Sequence, residues 1–325
     1  MIVVTGGAGF IGSAIVWRLN QLGRNDIYIV DELGTDDKWK NLTGLDFHDF
    51  INKDVFLDDW NDRLRTMDID AIIHMGANSS TTEKDADYLL KNNYRYTAEV
   101  AENAVWNNIR FIYASSAATY GDGQLGFLDD EKLTGKLRPL NMYGYSKNLF
   151  DSYALKRGML DEIVGIKFFN VYGPNEYHKG DMRSVVHKAF GQIMESGSVK
   201  LFTSKNPGYK DGEQLRDFIY IKDAVDMTLH FLLKNKKAGG IFNAGTGKAR
   251  HWNDLVKAIF KALNKPVNID YIELPGHLAK KYQYFTQADI TKIRAAGYKK
   301  KITSLEAGVK DYVQNYLVKD KYLEG

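Results

Sequence analysis

The sequence predicts an α/β fold, a doubly wound parallel sheet carrying a smaller, interleaved lobe, and three observations predict it. The apolar run Ile2–Val4 meets glycines at 6, 9 and 12, and an amphipathic segment follows with Phe10, Ile11, Ala14, Ile15, Leu19 and Leu22. Strand-like runs then recur at 2–5, 27–30, 71–74, 110–115 and 163–169, with helix-like stretches such as Asp85–Asn107 between them. Parallel strands need crossover helices, and that alternation gives a sheet covered on both faces. Beyond Val171 the pattern breaks at Gly173-Pro174 and the polar segment Lys205–Gln214, then resumes in Asp217–Lys234 and Ile241–Asn243.

The first element carries the most chemistry. Strand, glycine turn and helix in that order make a cradle for a dinucleotide pyrophosphate. Gly6 permits the tight turn, Gly9 lets backbone amides approach the phosphates, and Gly12 lets the helix lie close to the strand. The next strand ends in an acid, Asp31, at the place where a carboxylate holds adenine-ribose hydroxyls. A Rossmann-type nucleotide domain is therefore expected over 1–169, with returning segments at about 217–244 and 284–291. Residues 170–216 and 245–325 then form mainly a substrate-binding lobe, and the cleft between the two is the expected site.

Composition removes several classes of function. The chain has 325 residues, 44% hydrophobic, with a net charge of +3 and bases and acids interspersed, so no nucleic-acid or membrane footprint is visible. No apolar run approaches membrane-spanning length, and the start directly on a strand argues against a leader, so a cytoplasmic location is expected. Cysteine is absent, which excludes disulfides and thiol catalysis and removes the usual structural-zinc ligand. No metal site is expected; His178 lacks companions at ligand spacing.

Tyr143 and Lys147 lie four apart, on one face of a helix. A phenol titrates near ~10, and a nearby ammonium together with an oxidised nicotinamide would favour its phenolate as a general base. Ser115-Ser116 ends a strand upstream, and Ser116 is the hydroxyl expected to share the substrate oxygen with Tyr143, Ser115 turning inward. Tyr145, two residues from Lys147, would face elsewhere.

These residues, with the G-x-x-G-x-x-G spacing, resemble the extended short-chain dehydrogenase/reductases. His74–Glu83, Tyr113–Gly121, Asn141–Lys147, Phe169–Pro174, His178-Lys179-Gly180, Arg216-Asp217-Phe218 and Tyr282–Asp289 narrow the resemblance to the ADP-L-glycero-D-manno-heptose 6-epimerase family, nearly end to end. The resemblance implies inversion at C6″ of an ADP-heptose for lipopolysaccharide core assembly, a tightly held NADP, and a homo-oligomer, a homopentamer in that family. It implies that Tyr143 and Lys179 share the acid/base duty on the two faces of a transient ketone. Phe10 and Ile11 join the glycines as cofactor contacts, as do Met75, Gly76, Ala77, Asn78 and Ser79 after the 71–74 strand. Asn92 is expected near the nicotinamide half, with Asn93 read as helix surface.

Lys38 and Lys53 match lysines that the family places near a 2′-phosphate, favouring NADP. Asp31 alone favours NAD, and Glu32 stands where the family often has Asn, so NAD stays open. For the substrate the resemblance implies Asn170, Val171, Asp181, Phe202, Thr203, Ser204, Lys205, Arg216 and Tyr282. Val171 also borders the cofactor. The family's substrate histidine falls at Lys188, with His187 one place earlier.

Two other readings compete. Another nucleotide-sugar 4-epimerase or reductase would keep the same machinery, whereas a 4,6-dehydratase would carry an acidic pair where Ala117-Ala118 stands. A cofactor-binding regulator would have no need of Ser116, Tyr143 and Lys147 together.

Overall fold

A computed structural model describes residues 1–58, 60, 62, 67–276 and 282–324. Seven parallel strands form the main sheet in the order β10-β6-β5-β4-β1-β2-β3. They are β1 (Ile2–Thr5), β2 (Ile27–Asp31), β3 (Asp49–Asn52), β4 (Ala71–His74), β5 (Arg110–Ser116), β6 (Val164–Phe168) and β10 (Gly240–Ala244). Residue alternation sorts the core into two layers. Ile2 and Val4 of β1, Ile73 of β4 and Ile112 of β5 pack on one face, while Val3, Ile72, Phe111 and Tyr113 pack on the other.

Strand order reverses between β1 and β4, the switch point outside whose carboxyl ends open sheets of this kind bind ligands. β1 pairs in register with both β2 and β4, Thr5 lying opposite Val30 and His74. Every candidate on the cofactor side is placed relative to that switch point.

Three features differ from the sequence reading. β3 went unread, because a four-residue edge strand with one buried side chain gives almost no apolar period. The 163–169 run breaks at Phe169, whose amide donates to the Ala244 carbonyl, and the chain then enters a second sheet. The Asp85–Asn107 stretch is helical but not uniform: Ala86–Leu89 is α-helical, Leu90–Arg95 is a π-helical insert and Tyr96–Trp106 is α-helical again. Such an insert re-aims side chains and recurs at functional sites.

The second sheet has the order β11-β9-β7, from Ala249–His251, Leu215–Tyr220 and Asn170–Tyr172, and a two-stranded sheet pairs β12 (Ile269–Ile272) with β8 (Val199–Phe202). The helix Ile221–Leu233 that follows β9 leads the chain back to β10 on the edge of the main sheet. Among the described residues, no helix is long and apolar enough to cross a membrane.

Candidate functional site

The glycine turn closes as its spacing requires. Gly6 has φ 65°, and a Cβ there would stand 2.6 Å from the Gly76 nitrogen, so β1 and β4 meet backbone to backbone. At Gly12 a Cβ would lie 2.0 Å from the Gly6 carbonyl oxygen, which fixes the close seat of the first helix, Phe10–Gln21. Gly9 precedes that helix with no side-chain cap, leaving its first amides free for an anion, and an added Cβ would meet only the Gly6 oxygen, at 3.1 Å. This open, donor-lined turn fits a dinucleotide pyrophosphate.

Beyond it the end of β2 is charged but balanced. Asp31 accepts from the Ala8 amide at 2.9 Å and pairs with Lys38 at 3.0 Å. Glu32 pairs with Lys53 at 2.6 Å, and that lysine holds the Glu32 carboxyl below its usual range. Lys53 also donates to Asn92 Oδ1 at 3.1 Å. Asn92 Nδ2 in turn donates to Asn93 Oδ1 at 3.1 Å, so Asn92 lies between Lys53 and Asn93. Asn93, expected on the helix surface, is fully buried. Its amide donates to the Asn78 carbonyl and to Ser146 Oγ, and its Oδ1 accepts from the Asn78 amide, all within 2.9–3.1 Å. From within the π-helical insert, Asn93 joins the Met75–Ser79 loop to the Tyr143 helix.

That helix, Met142–Lys156, is capped by Asn141, whose side chain accepts from the Gly144 amide at 2.8 Å. Tyr143 faces the Ser116 hydroxyl, while Tyr145 is 47% exposed. Burial raises the Tyr143 phenol and only the Ser116 hydroxyl opposes it. Lys147, one turn on, is 4% exposed, and burial pushes its ammonium down to about 8, with Asp151 opposing the fall.

Asp151 is the residue that sequence reasoning missed. It stands one turn beyond Lys147, accepts from Tyr113 at 2.9 Å and Ser115 at 2.8 Å, and pairs with Lys167 at 2.7 Å. Lys167 reaches Thr119 Oγ1 at 2.6 Å, and Thr119 donates to the Ser116 carbonyl at 2.8 Å. Ser115 is therefore turned into this network and Ser116 towards Tyr143. The only signal in the sequence was the i, i+4 spacing of Lys147 and Asp151.

Lys179 lies in the loop Tyr177–Met182 with its ammonium 5.2 Å from the centre of the Phe10 ring. Burial lowers its pKa and Glu176 opposes the fall. Asp181 and Lys188 are exposed, the Lys188 ammonium donating to the Asp181 carbonyl at 3.2 Å. His187 is half-buried with its ring edge-on to Tyr177.

Asn170 and Val171 line a cavity of about 190 Å³ with Arg183, Phe218 and Trp252. Beside it, buried Arg216 lies between the Trp252 and Tyr282 rings, at 5.7 and 5.4 Å, and donates to the carbonyls of Leu215 and Gln283. Phe202 ends β8, the Thr203 amide donates to the Ile272 carbonyl, and Ser204 Oγ donates to the Asn206 carbonyl. Lys205 pairs with Glu273 on the surface. Among the described residues, no cluster of His, Asp and Glu could hold a metal ion.

Residues 2–245 match the model of the NAD dependent epimerase/dehydratase family. A protein of Nitratidesulfovibrio vulgaris named ADP-L-glycero-D-manno-heptose-6-epimerase is 54% identical over 317 residues, covering 98% of each chain. One of the same name from Fusobacterium nucleatum is 53% identical over 335 residues, covering 99% of this chain and all of its own. The crystal structure of the Helicobacter pylori protein of that name superposes with a TM-score of 0.79 at 30% identity, covering 97% of this chain and 95% of its own. With a donor-lined glycine turn at the switch point and these matches from end to end, the chain belongs to the NAD dependent epimerase/dehydratase family, on the branch of the ADP-L-glycero-D-manno-heptose-6-epimerases.

Proposed function

We propose that the chain inverts C6″ of ADP-D-glycero-D-manno-heptose to give ADP-L-glycero-D-manno-heptose, a precursor of the lipopolysaccharide core, through transient oxidation of the carbinol to a ketone. The observation that carries this reading is the end-to-end identity of 54% with a relative of that name. Another sugar-nucleotide 4-epimerase is the second enzyme reading; the desolvated Lys179 beside Phe10 favours the two-donor epimerase.

When bound, a nicotinamide dinucleotide supplies the acceptor and donor of hydride and, oxidised, a positive charge that favours the Tyr143 phenolate. Gly6, Gly9, Phe10, Ile11 and Gly12 would hold its pyrophosphate half and Met75–Ser79 its far side. We infer NADP on the two cations Lys38 and Lys53; NAD is the second reading, on Asp31 and Glu32. Mass spectrometry of the small molecules released from denatured protein separates them.

Tyr143, helped by Ser116, takes the proton from the C6″ hydroxyl. The ketone must then present its other face, which moves its oxygen, and a second proton donor is needed where the oxygen arrives. Lys179 is that donor. A desolvated ammonium gives up a proton more readily than a solvated one. Lys147, from the same helix face as Tyr143, would hold ribose hydroxyls. Residues 170–216 and 245–325 form the substrate side, where Arg216 would fork onto the diphosphate. A homo-oligomer in the cytoplasm completes the reading.

The test is inversion of each purified epimer. Tyr143→Phe should abolish it while dinucleotide stays bound, and Lys179→Met should cost at least about a hundredfold in kcat. In deuterated water C6″ should take up no deuterium. Solvent label at C6″, or wild-type rates in both variants, would overturn the mechanism.

A further inference from the structure

At the start of the loop that carries Lys179, three hydrogen bonds from other elements converge on Asn175. This residue is fully buried and holds φ 75°, a left-handed conformation that asparagine tolerates. Its Nδ2 donates to Ser13 Oγ of the first helix at 3.0 Å, and its Oδ1 accepts from the Leu323 amide near the end of the chain at 2.9 Å. Its carbonyl accepts from Asn41 Nδ2 at 3.1 Å. The same Asn41 nitrogen donates to the Ala8 carbonyl, inside the glycine turn, at 2.9 Å. One buried amide thus ties the cofactor cradle to the start of the Lys179 loop.

The far end of the loop is closed as well. The Glu176 carboxylate accepts from both the amide and the hydroxyl of Ser184, and the Lys179 amide donates to the Glu176 carbonyl at 3.1 Å. The Tyr177 hydroxyl donates to the Lys321 carbonyl at 2.8 Å, and its ring meets Tyr322 edge-on at 4.8 Å. Lys179 therefore has little freedom of backbone, and its seat relative to Phe10 is set by groups on other elements.

We propose that Asn175 is a positioning residue for the reaction: clasped between Ser13, Asn41 and Leu323, it holds the Lys179 loop against the cofactor cradle so that the ammonium meets the substrate oxygen. The inference rests on the proton-transfer role proposed for Lys179. Without the Asn175 side chain the loop keeps its Glu176–Ser184 closure and the Asn41 bonds to the Asn175 carbonyl and to His178 Nδ1, but loses its direct tie to Ser13 of the first helix and to Leu323. A misplacement of an ångström in a proton donor lowers turnover far more than it lowers binding.

The experiment compares Asn175→Gly, Asn175→Asp, Ser13→Ala and Lys179→Met in the full chain. Asn175→Gly keeps the backbone conformation and removes both side-chain bonds. Asn175→Asp keeps the acceptor for Leu323 and loses the donor to Ser13. Amide hydrogen exchange over 176–182 should speed by roughly tenfold in Asn175→Gly and less in Asn175→Asp, consistent with one or two lost buried hydrogen bonds. For inversion, kcat should fall about tenfold or more in Asn175→Gly, with KM within about twofold and bound dinucleotide unchanged, and Asn175→Asp should recover part of it. If Asn175→Gly does not fold, Ser13→Ala carries the same two readings at smaller size.

Unchanged exchange in these variants would overturn the clasp. Faster exchange with unchanged kcat would overturn the positioning role, and Lys179→Met then separates the causes. An active Lys179→Met means the lysine reading itself has failed, whereas an inactive one means the loop needs no clasp. A fall in kcat that tracks lost dinucleotide would also overturn the proposal.

Discussion

Replacing Lys147 with methionine should make the ligand-free chain more stable while removing most of its activity. The folded chain holds the lysine proton only up to about 8, against an ordinary 10.5, because the ammonium is buried. That difference corresponds to a penalty of about 3 kcal/mol at neutral pH. Methionine fills nearly the same volume without a charge to desolvate. Removing Lys147 does not orphan Asp151, which keeps Lys167, Tyr113 and Ser115.

The sign follows from proton counting. Between about 8 and 10.5 the unfolded chain binds the lysine proton and the folded chain does not, so wild-type stability rises with pH across that window. The advantage of Lys147→Met is therefore full below pH 8 and fades towards 10.5. Urea unfolding of both proteins at pH 7, 8.5 and 9.5 measures it. A variant no more stable than wild type at pH 7, or an advantage that does not shrink by pH 9.5, would refute the reasoning. The trade is the usual one at a site that keeps a desolvated charge for its ligand.

Three further outcomes are expected. Asp151→Asn leaves the Lys167 charge buried without its partner, and thermal or urea unfolding should show a loss of roughly 3–5 kcal/mol; Asp151→Asn combined with Lys167→Met should recover much of it. Glu32→Gln frees Lys53 from its ion pair and removes a negative charge where the proposed cofactor pose puts the adenosine ribose, so calorimetry should show NADP gaining on NAD by about tenfold; an unchanged ratio would place the 2′ position away from this pair. Gly12→Ala drives a methyl onto the Gly6 carbonyl, and dinucleotide binding, followed by fluorescence, should be lost; wild-type affinity would mean the turn can yield.

What could be read in the sequence was local. The glycine turn is a contiguous signal of strand, turn and helix, and Tyr143 with Lys147 share a face by helical spacing alone. Ser115 and Ser116 separate because one side chain reaches Asp151 and the other Tyr143, which the motif order already implied. The residues that went unread are those whose partners the topology brings from far away. Asn41 and Asn175 lie 134 positions apart, and Asn175 and Leu323 lie 148 apart. Asn93 is polar, which suggests a surface position, yet it shares its helix face with buried Leu89, Thr97, Val100 and Ala104 at steps of three and four, a spacing that already points inward.

The unread residues share one physical task. Tyr143, Lys147 and Asp151 form a stripe along one helix at steps of four, graded from the crevice to the sheet. At the crevice end the phenol and ammonium are buried with few partners, which leaves both with perturbed proton affinities and free valences for a ligand. At the sheet end Asp151 is saturated by three side chains from β5 and β6. A buried carboxylate so fully bonded is costly to form and hard to move, and rigidity of this kind suits reactive groups that gain nothing from the apo state. The same logic holds across the cleft, where the Glu176 carboxylate accepts twice from Ser184 and burial lowers the proton affinity of Lys179. In each half of the site a bonded acid anchors the segment that carries a desolvated lysine, so the acids, and not only the bases, decide where the protons are exchanged.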